Sequence, residues 1–254
     1  MQDNRISLLV NTLNERDNIL KNIIPVSIYF DELVIVDMSS DDGSKDVVSD
    51  ISNARFIETD KRGYVEPARK LGIDSCKYEY VFILDADEIL SAKLLNVIKL
   101  FRSGNITCLE NVKNGGCLYF PRLNSMFGRD ITWGKFSPDH DRQLRFFNKK
   151  NVIVTDVIHK GLVPAPHAVA DIIKFESEKY IYHYHSTSAL QFISRLVRYA
   201  EFENNKKTGE DSFSITPAVK AFIREFILAK GFLHGRIGFT LAYILALREF
   251  LKGR

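Results

Sequence analysis

Residues 80–90, YVFILDADEIL, decide the fold and point to the functional site. The first five are apolar and mostly β-branched or aromatic, which indicates a strand buried on both faces of a sheet. The run ends in carboxylates at Asp85, Asp87 and Glu88. Carboxylates at the end of a buried strand are costly unless a cation meets them. Asp85 and Asp87 can offer oxygens to one hard divalent cation whose shell is completed by phosphate oxygens and water, so the pattern predicts a metal-diphosphate site.

The same acids have a second interpretation. Acidic residues after a strand often form the cap and first turn of the next helix. Residues 91–102, SAKLLNVIKLFR, do have a helical pattern. The two interpretations stay open at this point.

The preceding residues predict a mostly parallel sheet with helices on both faces. Apolar strand patterns lie at residues 6–10, 32–36 and 54–58. Helical patterns separate them, with Ser44 or Asp46 as the cap of the second helix. Such alternation of strand and helix is typical of a parallel α/β sheet.

Acidic residues follow three of these strands. Glu15 comes after the first, Asp37 ends the second, and Asp85 and Asp87 end the fourth. Ligands of open α/β sheets bind outside the carboxyl ends of the strands. We therefore expect these four carboxylates to converge on one cleft.

The composition describes an ordinary folded protein. The chain has 254 residues, of which 45% are hydrophobic and 26% charged, enough for one α/β domain with an appended piece. The formal charge of +3 does not by itself predict nucleic-acid binding, and the basic excess lies beyond residue 217. Three widely spaced cysteines, a charged N-terminus and the lack of a long apolar run predict a cytoplasmic protein.

Four segments in this order and spacing resemble the nucleotide-sugar half of the family 2 glycosyltransferases, which have the GT-A fold: VNTLNE, VIVDMSSDDGS, GYVEPARK and FILDADE. The resemblance covers residues 6–90 strongly and residues 119–199 more loosely. It implies a Rossmann-like α/β fold and transfer of a sugar from a nucleotide-diphosphate sugar, with inversion at the anomeric carbon.

The resemblance also implies roles for single residues on the donor side. Leu13, Asn14 and Glu15 are expected to line the nucleotide pocket. Asp37 is expected to hydrogen-bond the base, which family tendency makes uracil. Ser39 stands where the family usually has a glycine.

Arg69 matches the family's arginine near the diphosphate, with Lys70 where an asparagine is usual. Asp85 and Asp87 match the Asp-x-Asp motif that binds Mg²⁺ or Mn²⁺. Asp87 is expected to be the direct ligand of the metal, and Asp85 also lies on the donor side.

The second half carries the expected acceptor residues. The spacing of Asp141, Gln143, Arg145 and Phe147 resembles the D-x-Q-x-R-x-F segment of bacterial transferases that act on the lipopolysaccharide core. In that subgroup a carboxylate of this region is the catalytic base, which must take a proton from the acceptor hydroxyl.

Asp141 is our first choice for the base and Asp139 our second. The alternative is that both are surface aspartates paired with arginines. Arg145 is expected to hold a phosphate or carboxylate of the acceptor, and Trp133 lies in the neighbouring loop as an acceptor-binding residue.

Histidines of the second half are candidates for a third metal ligand. His159 is the first candidate, although Lys160 follows it where the subgroup normally has glutamate. His183 or His185 can supply the ligand instead. The alternative for each is a hydrogen-bonded core histidine.

The C-terminal part predicts an amphipathic extension. Residues 187–206 form a helix whose apolar face is expected to contain Leu190, Ile193, Leu196, Val197 and Ala200, and residues 206–214 form a hinge or lid loop. The apolar run 237–247, IGFTLAYILAL, is too short to span a bilayer but can lie at an anionic membrane surface. The alternative is a helix pair packed on the domain or on a second copy of the chain, as in a homodimer.

The sequence thus predicts a GT-A domain over residues 1–205, with a nucleotide-sugar half (1–105) and an acceptor half (106–205), and a helical extension over residues 206–254. The expected activity is inverting transfer from a UDP-linked sugar to a cell-envelope glycan or glycolipid such as lipopolysaccharide core, on the inner face of the plasma membrane. Two alternatives are a polyprenyl-phosphate sugar synthase, which needs no strong base, and a non-catalytic nucleotide-sugar-binding subunit. No nucleic-acid partner is expected.

Overall fold

A computed structural model describes residues 3–60, 65–105, 107–155, 161–204 and 214–252 of the chain. The first part of the sheet is parallel and has the strand order β3-β2-β1-β4. These strands are β1 (Ile6–Thr12), β2 (Glu32–Asp37), β3 (Ala54–Glu58) and β4 (Tyr80–Ile83). The predicted α/β fold class is confirmed.

The later strands add antiparallel pairings to this sheet, although β11 pairs parallel with β6 and two strands lie outside the sheet. They are β5 (Glu88–Leu90), β6 (Gly116–Met126), β7 (Arg129–Asp130), β8 (Arg142–Asn148), β9 (Val152–Val154), β10 (Leu162–Pro164), β11 (Val169–Ile172) and β12 (Ile181–Ser186). Strand β8 pairs antiparallel with β4 and with β6, and the order continues to β12 and β5. Strands β9 and β10 form a separate antiparallel pair.

The α-helices, the π-helical turns and the 3-10 turn that precedes α7 follow in chain order. They are α1 (Arg16–Asn18), a π-helical turn (Ile19–Ile23), α2 (Ile24–Ser27), α3 (Glu66–Ser75), α4 (Ala92–Arg102), α5 (Ala189–Asn204), α6 (Thr216–Ile223), a second π-helical turn (Arg224–Leu228), a 3-10 turn (Gly231–His234) and α7 (Gly235–Lys252).

The prediction of a helix between β2 and β3 is wrong. Residues 42–50 form successive turns, with hydrogen bonds from the Asp46 and Val48 amides to carbonyls three residues back. Gly43 has a left-handed φ of +83°, and the Asp42 carboxylate accepts bonds from the Ser44 amide and hydroxyl. These local side-chain bonds compete with helix formation and favour turns.

Strands β1, β2 and β4 are buried on both faces, as their uninterrupted apolar runs predicted, whereas the edge strand β3 is partly exposed. One face packs against the first π-helical turn and α4 through Ile19, Ile23, Leu94, Ile98 and Phe101. The other face packs against α3 through Ala68 and Ile73. Helices on both faces leave the carboxyl edge of the sheet for ligands.

The chain divides into two compact units. The first unit is Met1–Arg122 with Arg142–His183, and the second is Leu123–Asp141 with Tyr184–Arg254. The predicted domain boundary at residues 205–206, and all of the predicted lid loop except Ser214, lie outside the residues that the structure describes.

The second unit has its own apolar cluster between α5 and α7. It contains Met126, Ile131, Phe192, Leu241 and Ile244, with Ala189, Ile193 and Leu196 packed against it. Leu190 and Val197 were predicted to lie on this face of α5 but are 74% and 37% exposed. The reason is that Phe192 is the buried anchor, so the inward stripe passes through 189, 192, 193 and 196.

Helix α7 packs partly on the second unit itself. Leu241, Ala242, Ile244 and Leu245 of the apolar run are buried, whereas Phe239 and Tyr243 are about half exposed. Within the ranges given above, no helix is long and apolar enough to cross a membrane.

Candidate active site

The carboxyl ends of β2, β1 and β4 lie side by side at one edge of the first unit. Thr12 at the end of β1 pairs with Asp37 at the end of β2. Ile83 of β4 pairs with Leu9, and the Leu84 amide donates to the Leu9 carbonyl. Because the three strands are parallel neighbours, the acids that follow them leave the sheet at the same edge.

Residues 85–88 form a tight turn between β4 and β5. The Glu88 amide donates to the Asp85 carbonyl at 3.0 Å, and the Asp85 amide donates to the Glu88 carboxylate at 3.0 Å. Asn22 of the first π-helical turn donates its amide to the Ala86 carbonyl at 2.9 Å. The cap of α4 is Ser91, so these acids do not begin the helix, and the alternative interpretation of them is wrong.

Arginines surround the Asp85 carboxylate. Arg145 Nη2 lies 2.6 Å from Asp85 Oδ2, and Arg69 Nη2 lies 3.6 Å from Oδ1. Burial alone would raise the pKa of Asp85, but the charges of Arg145 and Arg69 outweigh it and hold that pKa well below its usual range. Asp85 therefore stays ionised and holds both guanidinium groups at the edge of the sheet.

Glu88 completes this ion cluster, and the sequence did not single it out as a ligand of an arginine. Its fully buried carboxylate lies 2.6 Å from Arg145 Nη2 and 3.2 Å from Arg122 Nη1. Arg145 thus bridges two carboxylates, and its side chain is only 3% exposed. The structure gives it this internal role and leaves little of its surface for the acceptor that we predicted it to bind.

Asp87 faces a histidine. Its Oδ2 lies 3.4 Å from Nε2 of His183 on β12, and both side chains are largely buried. His185 lies elsewhere, in ring contact with Phe136 and Phe192 of the second unit. Of the histidines that we considered as metal ligands, the structure brings His183 to the Asp-x-Asp turn.

This pair fits a divalent cation as far as its donor atoms are concerned. A carboxylate oxygen and an imidazole nitrogen suit Mn²⁺, and Mg²⁺ commonly takes one or two protein carboxylates plus substrate phosphate oxygens. No cluster of three or more metal-binding side chains occurs in the described part of the chain. His159 and Lys160 lie outside the described residues.

A polar pocket of about 380 Å³ opens beside the end of β1. It is lined by Asn14, Glu15, Arg16, Asp17, Asn18 and Asp42. Leu13, the other residue predicted for the nucleotide pocket, is half-buried. The Asn14 side chain accepts a bond from the Asp41 amide at 3.0 Å, and the Arg16 amide donates to Asp42 at 2.8 Å, so the loops after β1 and β2 hold each other.

Asp37 is buried at the end of β2, and both of its oxygens accept bonds from Ser40, one from the amide and one from the hydroxyl. Each oxygen keeps a further lone pair, so these bonds are compatible with the predicted contact to a base.

Asn11 and Thr12 lie among the polar residues at the end of the first strand, but the sequence analysis did not select them as site residues. Both polar atoms of the Asn11 amide and the Thr12 hydroxyl are buried without a hydrogen-bond partner in the described structure. Buried polar groups are almost always paired, so exceptions call for a ligand or another explanation. The available signal was the presence of two polar residues in an otherwise buried strand.

The predicted base candidates both belong to the second unit. Asp141 Oδ2 accepts a bond at 2.8 Å from Asn124, whose buried amide also donates to the Phe136 carbonyl at 2.9 Å. Asp139 is exposed. The structure therefore fixes the orientation of Asp141, our first choice.

Trp133 also belongs to the second unit. Its ring stacks on that of His234, with centroids 3.5 Å apart and planes 5° from parallel. His234 thus covers one face of the indole, so the acceptor contact predicted for Trp133 would have to use the other face or the ring edge.

Comparison with known proteins gives the family. The model of "Glycosyl transferase family 2" matches residues 7–160. The chain belongs to this family. The match covers β1 to β9 and includes both the Asp-x-Asp turn and Arg145.

Relatives that match nearly the whole chain are also named glycosyltransferases. Uncharacterized glycosyltransferases of Rickettsia bellii and Rickettsia typhi are each 26% identical over 259 residues, covering 98% of this chain and 84% and 85% of theirs. Among solved structures, S. aureus TarS 1-349 in complex with UDP is similar with a TM-score of 0.47 and 14% identity, over 92% of this chain and 73% of that one.

Two departures from the family pattern can be located in this glycosyltransferase. Ser39 adopts a left-handed φ of +63°, which explains why a glycine is usual there, and its hydroxyl donates to the Thr59 carbonyl at 3.0 Å. Lys70 pairs with Asp74 at 2.8 Å on the surface of α3. Neither departure disturbs the ion cluster around Asp85.

Proposed function

We propose that this glycosyltransferase transfers a sugar with inversion from a UDP-linked donor to a cell-envelope glycan or glycolipid such as lipopolysaccharide core, working at the inner face of the plasma membrane. Mg²⁺ or Mn²⁺ is held by Asp87 and His183. The observation that carries the proposal is the Asp87–His183 pair, 3.4 Å apart, at the carboxyl edge of the sheet.

Positive charge at the carboxyl edge of the sheet supports the donor site. A nucleotide diphosphate brings negative charge that the site must neutralise as the bond to the sugar breaks. Arg69 lies at this edge with its guanidinium oriented by Asp85, and its Nε atom is buried without a partner among the described residues. A cation bound at Asp87 would supply further stabilisation of the leaving diphosphate, which is usually a large catalytic contribution.

The fixed orientation of the Asp141 carboxylate supports its role as the base. Inverting transfer needs a group that accepts the acceptor hydroxyl proton while the diphosphate leaves from the opposite face of the sugar. Asn124 bonds Oδ2 of Asp141. We assign this oriented carboxylate to accept the proton, with Asp139 as the second candidate.

The experiment is calorimetric titration of UDP with and without Mn²⁺, on the wild type and on Asp87→Asn and His183→Gln. We expect Mn²⁺ to strengthen UDP binding to the wild type, and each substitution to remove about 10- to 100-fold of that gain. Asp74→Asn is the matched control, because it removes a carboxylate that is 63% exposed on α3. Unchanged Mn²⁺ dependence in both site variants would contradict the assignment.

A second measurement separates the alternatives. Asp141→Asn should leave UDP binding unchanged and reduce sugar transfer about 100-fold or more. Full turnover in both Asp141→Asn and Asp139→Asn would favour a polyprenyl-phosphate sugar synthase. Absence of acceptor-independent hydrolysis and of transfer, despite UDP binding, would favour a non-catalytic subunit.

A further inference from the structure

The second unit exposes a row of aliphatic side chains along α6 and the π-helical turn that follows it. Ile215, Val219, Ile223 and Ile227 recur at every fourth residue and are 45% to 59% exposed. Residues four apart lie on the same face of a helix, so they form one continuous stripe. Single exposed apolar residues are ordinary, but a contiguous group marks an interaction surface.

Aromatic rings extend this stripe towards α7. The ring centroid of Phe226 lies 5.2 Å from that of Phe222, 6.4 Å from that of Phe232 and 5.9 Å from that of Phe239. The rings of Phe239 and Tyr243 stack with centroids 6.3 Å apart. We call the exposed set the apolar ridge. It consists of Ile215, Val219, Ile223, Ile227, Leu228, Phe232, Leu233, Phe239 and Tyr243.

Cations accompany the apolar ridge, and acids do not. Lys220, Lys230 and Arg236 are exposed, and none of them pairs with a carboxylate in the described part of the chain. The sole acid between residues 214 and 248 is Glu225, which is buried and bonded to the Lys135 amide and to Arg224. The surface therefore offers apolar groups and positive charge together.

We propose that the apolar ridge docks the protein on an anionic phospholipid bilayer. Apolar side chains that enter the headgroup boundary, flanked by lysines and arginines, are the recognised chemistry of interfacial binding. A second copy of the chain fits less well, because a symmetric contact would bring the same cations face to face with no acid of this segment to meet them.

This assignment differs from the expectation that residues 237–247 lie in the interface. Leu241, Ala242, Ile244 and Leu245 of that run are packed inward, so most of its apolar surface is already used. The lipid contact therefore falls mainly on the helix before it. The proposal gives the glycosyltransferase a lipid surface to work on, but it does not depend on the donor, metal or base assignments.

The test is co-sedimentation of the full chain with phosphatidylcholine vesicles, with and without phosphatidylglycerol. We expect binding to the vesicles that contain phosphatidylglycerol and a decrease as salt is added. Lys220→Gln/Lys230→Gln/Arg236→Gln should weaken binding about fivefold for each charge removed, roughly 100-fold in all. Ile223→Ser/Ile227→Ser should weaken binding at least tenfold.

Matched controls come from the first unit. Lys45→Gln/Lys93→Gln/Lys150→Gln removes three exposed lysines, and Ile28→Ser/Val169→Ser removes two apolar side chains that are 74% and 67% exposed. Both controls should bind vesicles like the wild type. Thermal unfolding confirms that each variant is folded, and UDP titration of the same samples reports the donor site separately.

Two results would overturn the proposal. One is the absence of sedimentation with anionic vesicles, or an equal loss in the control variants. The other is a concentration-dependent dimer in sedimentation velocity that the ridge variants dissociate while vesicles bind none of the proteins, which would identify a second copy as the occupant.

Discussion

Replacing Arg145 by methionine tests the ion cluster that supports the Asp-x-Asp turn. Arg145 is 3% exposed and binds both Asp85 and the fully buried Glu88 at 2.6 Å. Removing one partner of a buried ion pair typically costs about 3 to 5 kcal/mol, because the remaining charge has lost its compensation. Methionine keeps most of the side-chain volume, so we expect a loss of this size in the free energy of unfolding at neutral pH.

The stability loss in Arg145→Met should depend on pH. Burial tends to raise the pKa of Asp85, and Arg145 is the main group that lowers it below its ordinary value. A carboxyl with a depressed folded-state pKa contributes stability above its unfolded pKa of about 3.9, and that stability is lost as the pH falls through the folded-state pKa. The difference between the wild type and Arg145→Met should therefore be largest near pH 7 and shrink as the pH falls below about 5.

The assay is urea unfolding followed by far-UV circular dichroism at about pH 7 and at about pH 3, which lies below the unfolded-state pKa of the carboxyl. Lys150→Met is the control, because it removes a cation paired with Glu79 at the surface, where both side chains are more than half exposed. Such a surface pair is worth less than about 1 kcal/mol. The reasoning is refuted if Arg145→Met costs no more than Lys150→Met at neutral pH, or if its cost does not decrease at the lower pH.

Three further predictions concern single positions. A Cβ on Gly72 would lie 2.4 Å from the Leu9 side chain and 3.0 Å from the Val36 side chain. Gly72→Ala should therefore lower the free energy of unfolding by about 1 to 3 kcal/mol in the same urea assay. A stabilised variant would contradict the close packing of α3 on the sheet. Ser39→Gly should be more stable than Ser39→Ala by about 1 kcal/mol. Both variants lose the bond to Thr59, and glycine alone accepts the left-handed φ without strain. Equal melting temperatures would count against the left-handed backbone at residue 39. Burial raises the pKa of Cys76 to about 12 and that of Cys117 to about 11. A thiol reagent at about pH 8 should therefore label the exposed Cys108 first in the native protein, as checked by peptide mass. Faster labelling of Cys76 would be inconsistent with its burial.

The sequence by itself determined the parallel part of the sheet and the edge at which its acids lie. Apolar runs long enough for strands, each followed by polar residues and a helical pattern, leave few arrangements other than a parallel sheet with helices on both faces. The helix predicted between β2 and β3 was wrong, because the Asp42 carboxylate bonds the amide and hydroxyl of Ser44 and favours turns there. The spacing of apolar residues along the sequence gives no information about such bonds.

Tertiary structure decided which side chain meets which. Arg145 follows Glu88 by 57 residues, and no spacing rule indicates that its guanidinium would lie between that carboxylate and Asp85. The pairing of His183 with Asp87 depends likewise on the antiparallel contact of β12 with β5. Local sequence carries the propensity of a strand or helix, whereas contacts between distant residues depend on how sheet strands are ordered, and that order is a property of the whole packed chain.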